Sequence, residues 1–194
     1  MRKDIERFLK RLEKKNEKEK KAGLPIQKRM RSIPPEAGLF LYLLVKISKA
    51  QRILEIGTSQ GYSTIWLAQA AEETGGKVTT LEINPTSAAK AEKHLKQVKL
   101  DKFVKIKVGD AERILANMRE KFDFVFIDAE KKDYLTYFSL VCSKINRNGL
   151  IVADNVISHA EVLADYRNSV QRRPNFQSLI VPIGSGEMLS YKTK

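Results

Sequence analysis

Apolar and polar positions along this chain follow two periods, one typical of strands and the other of helices. Short runs of β-branched and aromatic residues, bounded by glycine, proline or charged residues, predict strands at residues 53–56, 77–84, 103–108, 122–128, 149–155, 176–183 and 187–191. The segments between the earlier strands carry apolar residues at helical spacing. This alternation predicts an α/β protein with a Rossmann-like, seven-stranded and mostly parallel sheet, helices on both faces, and a C-terminal antiparallel hairpin strand.

Two helices are predicted before the first strand. Ile5, Phe8, Leu9 and Leu12 fall at i, i+3, i+4 and i+7, so the first helix has one narrow apolar stripe that must be covered by its own domain or by a second subunit. We expect a homodimer on this basis. Residues 37–48 are apolar almost all round, as expected for a helix buried against a sheet.

The first strand leads into a glycine turn that predicts a nucleotide-like ligand. The run from Ile53 to Ile56 ends at Gly57, and a second glycine, Gly61, precedes a segment with helical spacing. The turn lacks the middle glycine of the dinucleotide fingerprint and the lysine of a phosphate loop, so pyrophosphate is a poor fit. An adenosine with a cationic tail fits better, because Glu55 near the strand end offers a carboxylate to an ammonium group.

The same turn has a competing interpretation. Residues 57–61 also spell Gly-x-Ser-x-Gly, the nucleophile elbow of α/β-hydrolases, with Asp128 or Asp154 and then His159 following in the required order. Against it, His159 follows Asp154 by only five residues, and no oxyanion glycine run precedes the turn. A plain strand–helix turn without a ligand is the other alternative.

Acidic residues end four successive predicted strands: Glu82, Asp110, Asp128 and Asp154, the last followed by Asn155. Ligands of open α/β sheets bind beyond the carboxyl ends of the strands, so we expect these side chains to share one cleft. Glu82 lies 25 residues after Gly57, close to where a βαβ unit places the carboxylate that accepts ribose hydroxyls. Asp110 is placed to interact with an adenine amino group.

Three oxygen donors in this set predict a metal site. Asp128, Asp154 and Asn155 suit a hard octahedral cation such as Mg²⁺, and Lys131 follows Asp128 by three residues. Taken alone, the carboxylates are also compatible with ordinary strand-end caps.

These motifs together resemble the class I S-adenosylmethionine-dependent O-methyltransferases, in particular the metal-dependent catechol and caffeoyl-coenzyme A group. The resemblance covers roughly residues 30–194. It rests on five short motifs at residues 53–63, 81–84, 109–111, 128–134 and 153–156. The last two motifs are the specific ones, since they carry the metal ligands and not only the fold.

The resemblance implies a role for each matching residue. It places S-adenosylmethionine against Ile33, Glu55, Gly57, Ser59, Ser63, Glu82, Asp110 and Asp128. It assigns Asp128, Asp154 and Asn155 to Mg²⁺ or another divalent cation, and makes Lys131 the general base in preference to Lys132. By this analogy two neighbouring oxygens of the acceptor bind the cation, and Lys131 removes the proton of the hydroxyl that attacks the sulfonium methyl.

The chain departs from the family pattern in two places. The methionine expected just before the first buried helix is Arg31 in register, and Ile157 to Ala160 replace a longer lid, so a more open acceptor pocket is expected. We predict that His159 is a polar residue at a helix start, that His94 is solvated, and that the single cysteine, Cys142, is a buried small hydrophobe.

Charge is concentrated at the amino end. The net charge is +13, and residues 1–31 hold thirteen Lys or Arg against five Asp or Glu. Basic arms bind nucleic acid, anionic surfaces or acidic partners, or simply keep a protein soluble. We divide the chain into a basic helical segment, residues 1–31, and a methyltransferase domain, residues 32–194.

The expected function is Mg²⁺-dependent transfer of a methyl group to a hydroxyl of a catechol-like or vicinal-diol small molecule. The basic arm and open pocket keep an alternative in view, methylation of 5-hydroxyuridine in transfer RNA by the same site. A third interpretation is a cofactor-binding fold that serves as an interaction module. The charged amino end and the lack of a spanning apolar run predict a cytoplasmic protein without a membrane partner.

Overall fold

The computed structural model describes residues 2–25 and 29–194, which form seven α-helices and seven strands. The helices are α1 (Lys3–Lys21), α2 (Pro35–Ser48), α3 (Tyr62–Thr74), α4 (Pro85–Gln97), α5 (Ala111–Asn117), α6 (Tyr134–Cys142) and α7 (Ala164–Gln171). The strands are β1 (Arg52–Ile56), β2 (Lys77–Glu82), β3 (Val104–Val108), β4 (Phe122–Ile127), β5 (Ile145–Ala153), β6 (Phe176–Val181) and β7 (Glu187–Lys192).

All seven strands belong to one sheet in the order β3-β2-β1-β4-β5-β7-β6. The first five are parallel, and β7 is antiparallel to both β5 and β6. The predicted architecture is confirmed, including the C-terminal hairpin. The strand order reverses between β1 and β4, and this is the point where open α/β sheets bind ligands.

Two hydrophobic clusters cover the two faces of the sheet, because side chains along each buried strand point alternately to opposite sides. Ile53 of β1 packs in the cluster formed with α1, α2, α3 and α4, while Leu54 and Ile56 pack in the cluster formed with α5, α6 and α7. The central strands are therefore apolar on both sides, which explains their continuous apolar sequence.

The apolar stripe of α1 is covered by the chain's own domain. Ile5, Phe8, Leu9 and Leu12 are all buried within the first cluster. Arg2 fixes the start of this region, since its guanidinium donates to the Glu72 carboxylate and to the Val98 carbonyl. The stripe consequently gives no support for a dimer. The boundary predicted at residue 31 follows a change in composition, while α1 shares the core of the rest of the chain.

Helix α2 was expected to be buried against the sheet, and in the structure only one of its sides is buried. Its inner side packs on α3, where Gly38 lies against the Trp66 ring so closely that a Cβ at this glycine would come within 2.3 Å of the indole nitrogen. Its outer side exposes Leu39, Leu43 and Ile47, which is 77% exposed. An apolar sequence alone did not reveal that, among the described residues, one side of the helix is left exposed.

Three smaller predictions need correction. The helix expected to start at residue 160 starts at Ala164, after a series of turns from residue 156. His94 is half-buried, with Nδ1 2.8 Å from the Gln60 carbonyl oxygen and its ring edge-on to Phe8. Burial lowers its pKa. Cys142 is only partly buried, at the margin of the second cluster.

Candidate active site

The turn after β1 is shaped by contact with the neighbouring strand β4. Gly57 has a φ of +101°, and a Cβ at this position would lie 2.0 Å from the carbonyl oxygen of Asp128. Only glycine fits such a close approach in this backbone conformation. The turn after β1 and the start of the β4 loop are thereby packed directly against each other.

A single cavity of about 480 Å³ lies over this turn at the carboxyl ends of the parallel strands. It brings together most of the predicted site residues: Ile33, Gly57, Ser59, Ser63, Glu82, Asp110, Asp128, Lys131, Asp154 and Asn155. The predicted convergence of the four strand-end acids on one cleft is therefore what the structure shows. Because neighbouring strands lie about 4.8 Å apart, the tips from β3 to β5 span roughly 19 Å.

At one end of the cavity, Glu82 and Asp110 are held by backbone N–H groups. The Glu82 carboxylate accepts from Ser59 N at 2.6 Å and from Asn84 N at 2.8 Å. Asp110 caps α5 by accepting from Arg113 N at 2.9 Å. Both carboxylates are fixed in place, and both retain acceptor capacity toward the cavity.

Glu55 is the one predicted site residue that is absent from the cavity wall. It is fully buried, and its oxygens accept hydrogen bonds from the hydroxyls of Ser63, Thr64 and Thr80 at 2.5–2.6 Å. Burial raises its pKa to about 7, against the opposing effect of the three hydrogen bonds. Since Ser63 does reach the cavity, Glu55 acts on that wall through the Ser63 hydroxyl.

At the other end, Lys131 is held beside Asp128. Its ammonium donates to Asp128 Oδ1 at 2.9 Å and to the Ala129 carbonyl at 3.1 Å, and it lies 5.3 Å from the centre of the Tyr134 ring. Lys131 is partly buried on the cavity wall, whereas Lys132 is exposed and lies off it. The geometry favours Lys131 over its neighbour as the group that meets a ligand.

The Asp154-Asn155 pair completes this end. Asn155 adopts a φ of +69°, a left-handed conformation that asparagine tolerates better than most residues. Its backbone N–H donates to Asp154 Oδ1 at 2.6 Å. Burial, followed by the nearby charge of Asp128, raises the pKa of Asp154.

Glu187 is a component of this region that the sequence analysis missed. It is fully buried at the start of β7, and within the part of the chain that the structure describes neither of its oxygens has a hydrogen-bond donor. Its carboxyl lies against that of Asp154, and burial together with the charges of Asp154 and Asp128 raises its pKa. The sequence shows only an acid directly after Gly186 at the start of a strand, and its burial follows from the pairing of that strand with β5.

The donor set fits a divalent cation on electrostatic grounds. Three carboxyl groups, Asp128, Asp154 and Glu187, are opposed at close range by one cation, Lys131. Buried like charges are costly unless they are neutralised. Within residues 2–25 and 29–194 no three His, Cys, Asp or Glu side chains form a ready-made metal cluster, so the predicted set depends on the amide of Asn155 as its third member.

Two further residues of the cavity wall, one before α2 and one after β5, were also unexpected. Met30, one position before the register predicted for a methionine, is buried and lies on the cavity wall. His159 is exposed, lines the same cavity, and has Nδ1 3.0 Å from the Ser158 hydroxyl. Both follow from the path of loops, which hydrophobic patterns do not specify.

Comparisons with known proteins agree with this picture. A family described as O-methyltransferase matches residues 4–181. The chain is 42% identical over 146 residues to a catechol O-methyltransferase of Niastella koreensis (73% of this chain, 64% of the relative) and 38% identical over 135 residues to one of Mycobacterium tuberculosis (69% and 61%). The matches thus span somewhat under two thirds of these relatives.

A solved structure extends the likeness over nearly the whole chain. The O-methyltransferase of Bacillus cereus, in complex with SAH, superposes with a TM-score of 0.81 at 29% identity, covering 96% of this chain and 90% of that one. In the part of this chain that the structure describes, no helix is both long and apolar enough to span a bilayer.

Proposed function

The chain belongs to the O-methyltransferase family, and we propose that it transfers a methyl group from S-adenosylmethionine to a hydroxyl of a catechol-like or vicinal-diol small molecule, aided by Mg²⁺ or another divalent cation. One observation carries the proposal. Lys131, Asp128, Asp154 and Asn155 lie on the wall of the same cavity as the glycine turn and the strand-end acids.

The cofactor assignment is supported by the length and polarity of the cavity. Glu82 and Asp110 at one end suit the hydroxyls and amino group of an adenosine, and the Gly57 turn allows close approach of the ligand in the middle. The homologous structure from Bacillus cereus holds SAH. In this assignment Ile33, Ser59 and Ser63 contact the cofactor, with Glu55 behind Ser63.

The divalent cation is assigned to the opposite end. Asp128, Asp154 and Asn155 would hold it, and the bound ion would supply positive charge that polarises two neighbouring oxygens of the acceptor. The relatives named as catechol O-methyltransferases support an acceptor with two such oxygens. Glu187 lies behind Asp154, and a cation bound beside Asp154 would favour the ionised form of both buried carboxyls.

The proposed reaction requires Lys131 in its neutral amine form, whose Nζ takes the proton of the acceptor hydroxyl and becomes the ammonium. The acceptor oxygen then forms a bond to the sulfonium methyl carbon as the carbon–sulfur bond breaks, so the sulfonium becomes a neutral thioether. Hydrogen bonds to Asp128 Oδ1 and the Ala129 carbonyl orient the lysine. The Tyr134 ring, which is buried and lies against Nζ, limits the movement of the Lys131 side chain.

The test is to incubate the purified protein with S-adenosylmethionine and MgCl₂ and to offer catechol and bulk transfer RNA in parallel. Mass spectrometry of both acceptors should show a methylated catechol, and EDTA should abolish the product. Methylation of RNA alone would overturn the small-molecule assignment. If neither acceptor is methylated although the cofactor binds, both the small-molecule assignment and the RNA alternative are wrong.

A further inference from the structure

The two sides of the cavity carry opposite charge. The strand tips provide acids, whereas the side built by α1 and the segment before α2 provides Asn16, Lys20, Arg29 and Arg31. We call the cavity residues from Asn16 to Pro34 the N-terminal wall. Among the described residues of this wall that reach the cavity, no acid is present. Part of the positive charge of the amino end therefore faces the cavity.

This wall is held in place by its own contacts. The Met30 backbone N–H donates to the Glu19 carboxylate at 2.6 Å, which ties the segment to α1. Arg29 donates through Nε to the Leu24 carbonyl, which fixes the plane of its guanidinium. Asn16 is only 7% exposed, and its Oδ1 has no hydrogen-bond donor within the described part of the chain. A buried acceptor of this kind is expected to take a hydrogen bond from a bound water or ligand.

Arg31 lies at the end of the cavity where the methyl acceptor is assigned. Its Nη1 is 3.7 Å from the Glu130 carboxylate, and Glu130 immediately precedes Lys131. In the strand order, the loop after β4 is separated from β2 and β3, where the nucleoside is assigned, by β1. Arg31 therefore lies nearer to the assigned position of the reacting hydroxyl than to that of the adenosine.

The Arg31–Glu130 pair leaves the guanidinium available to a ligand. The two side chains are 61% and 68% exposed, and their separation exceeds a hydrogen-bond distance. Exposed ion pairs of this kind contribute little to stability. A planar carboxylate that accepts two short charge-assisted hydrogen bonds from the Arg31 guanidinium would displace Glu130.

We propose that the N-terminal wall is a carboxylate subsite, in which Arg31 binds the carboxylate of an aromatic vicinal-diol acceptor. The inference rests on the proposed function and narrows it to anionic acceptors. Because the methionyl end of S-adenosylmethionine also bears a carboxylate, the experiment must separate the two sources of this group.

The experiment compares three acceptors of one scaffold: 3,4-dihydroxybenzoate, its methyl ester, and the cationic dopamine. The wild-type protein should show the highest kcat/KM with the benzoate. Arg31→Gln should lower kcat/KM for the benzoate about tenfold, as expected for loss of a charge-assisted hydrogen bond in a half-exposed site, and change that for the ester less than about twofold. Arg31→Lys should restore part of the loss.

A matched control and a binding measurement complete the design. Arg172 is an exposed arginine at the end of α7 and off the cavity wall. Arg172→Gln should therefore leave kcat/KM for all three acceptors unchanged. Calorimetry should show weaker benzoate binding to Arg31→Gln and unaltered binding of S-adenosylmethionine. Equal losses for benzoate and ester, or a loss confined to cofactor binding, would overturn the subsite.

The two proposals fail differently. If the benzoate and the ester are methylated equally well by the wild-type protein, the subsite is wrong and the methyltransferase assignment stands. If no diol is methylated, the proposed function is wrong. In that case calorimetric binding of the benzoate, with and without the Arg31 guanidinium, still decides whether the wall binds carboxylates.

Discussion

At the scale of single residues, the acceptor end of the cavity is determined by how carboxyl groups are placed around Lys131. Asp128, which accepts its hydrogen bond, was found from the sequence because it ends a strand. Glu187 was not found, since its position behind Asp154 depends on how the C-terminal hairpin pairs with β5. An acid at the start of a strand is not distinguishable by pattern from an exposed one.

We predict that Lys131→Ala lowers kcat by about 10²–10⁴-fold, the usual effect of removing a general base, while the Kd of S-adenosylmethionine changes little. Single-turnover rates and calorimetry measure the two quantities. Lys132→Ala is the matched control, because that neighbouring lysine is exposed and off the cavity wall. A comparable loss of turnover and of cofactor affinity in the Lys131 variant would assign the lysine a structural role.

The buried Glu55 carboxyl should make the stability of the folded protein depend on pH. Burial raises its pKa to about 7 from an ordinary value of 4.5, so between these pH values the folded protein keeps a proton that the unfolded chain releases. The contribution of Glu55 to the free energy of unfolding should therefore be greatest below pH 4.5 and fall by about 3 kcal/mol at most as the pH rises through 7.

Urea denaturation of the wild type and of Glu55→Gln at pH 5.5 and pH 8 tests this. The variant should lose less stability across this interval than the wild type, since its amide does not titrate. Because Asp154 and Glu187 are present in both proteins, only the difference between them reports on Glu55. Parallel pH dependences in the two proteins would contradict the prediction.

At the scale of secondary-structure elements, the main lesson is that hydrophobic periodicity located the helices and strands but not their surroundings. The stripe of α1 was correctly identified, yet only the structure shows that the chain covers it internally. The apolar sequence of α2 suggested a helix buried against the sheet, whereas its outer side is exposed. Periodicity reports which side of a helix is apolar, and not what lies opposite.

The contact between the turn after β1 and the loop after β4 should make Gly57 intolerant of any side chain. A Cβ would overlap the Asp128 carbonyl, and the φ of +101° is strained for alanine. We predict that Gly57→Ala weakens S-adenosylmethionine binding at least tenfold and lowers the thermal midpoint. Gly23→Ala is the control, because that glycine also has a positive φ but has open space around it.

Equilibrium binding of the cofactor and thermal denaturation would be measured for both glycine variants. Loss of cofactor affinity should be confined to the Gly57 variant. If both variants bind as the wild type does, the close approach between the two loops does not control the cofactor site.

At the scale of the whole molecule, the sequence was sufficient to predict the sheet, its C-terminal hairpin and the edge of the sheet at which the acidic residues meet. These features depend on strand order and on the alternation of elements, which the composition of each segment encodes directly. Of the N-terminal wall only Ile33 was named from the sequence, through the family resemblance. Its basic residues were not foreseen at the site, because α1 and residues 29–34 reach the cavity through tertiary packing between segments distant in sequence. The acceptor side of the site is therefore the part least accessible to sequence reasoning.

A divalent cation should stabilise the folded molecule as a whole. At a concentration of 100 Kd, a ligand specific for the folded state adds about 2.7 kcal/mol, which for a chain of this size corresponds to roughly 5–10 °C in the thermal midpoint. We predict such a rise with MgCl₂ or MnCl₂ and its reversal by EDTA. Asp154→Asn should abolish the metal-dependent rise, whereas Asp165→Asn, at an exposed position of α7, should retain it.

The close packing of Gly38 on Trp66 offers an intrinsic optical probe. The chain contains only one tryptophan, so its emission is free of overlapping signals from other indoles. Because that ring lies between α2 and α3, loosening of α2 should shift its fluorescence maximum to longer wavelength before the sheet itself unfolds. The order in which the layers come apart is thus measurable in the unlabelled wild-type protein.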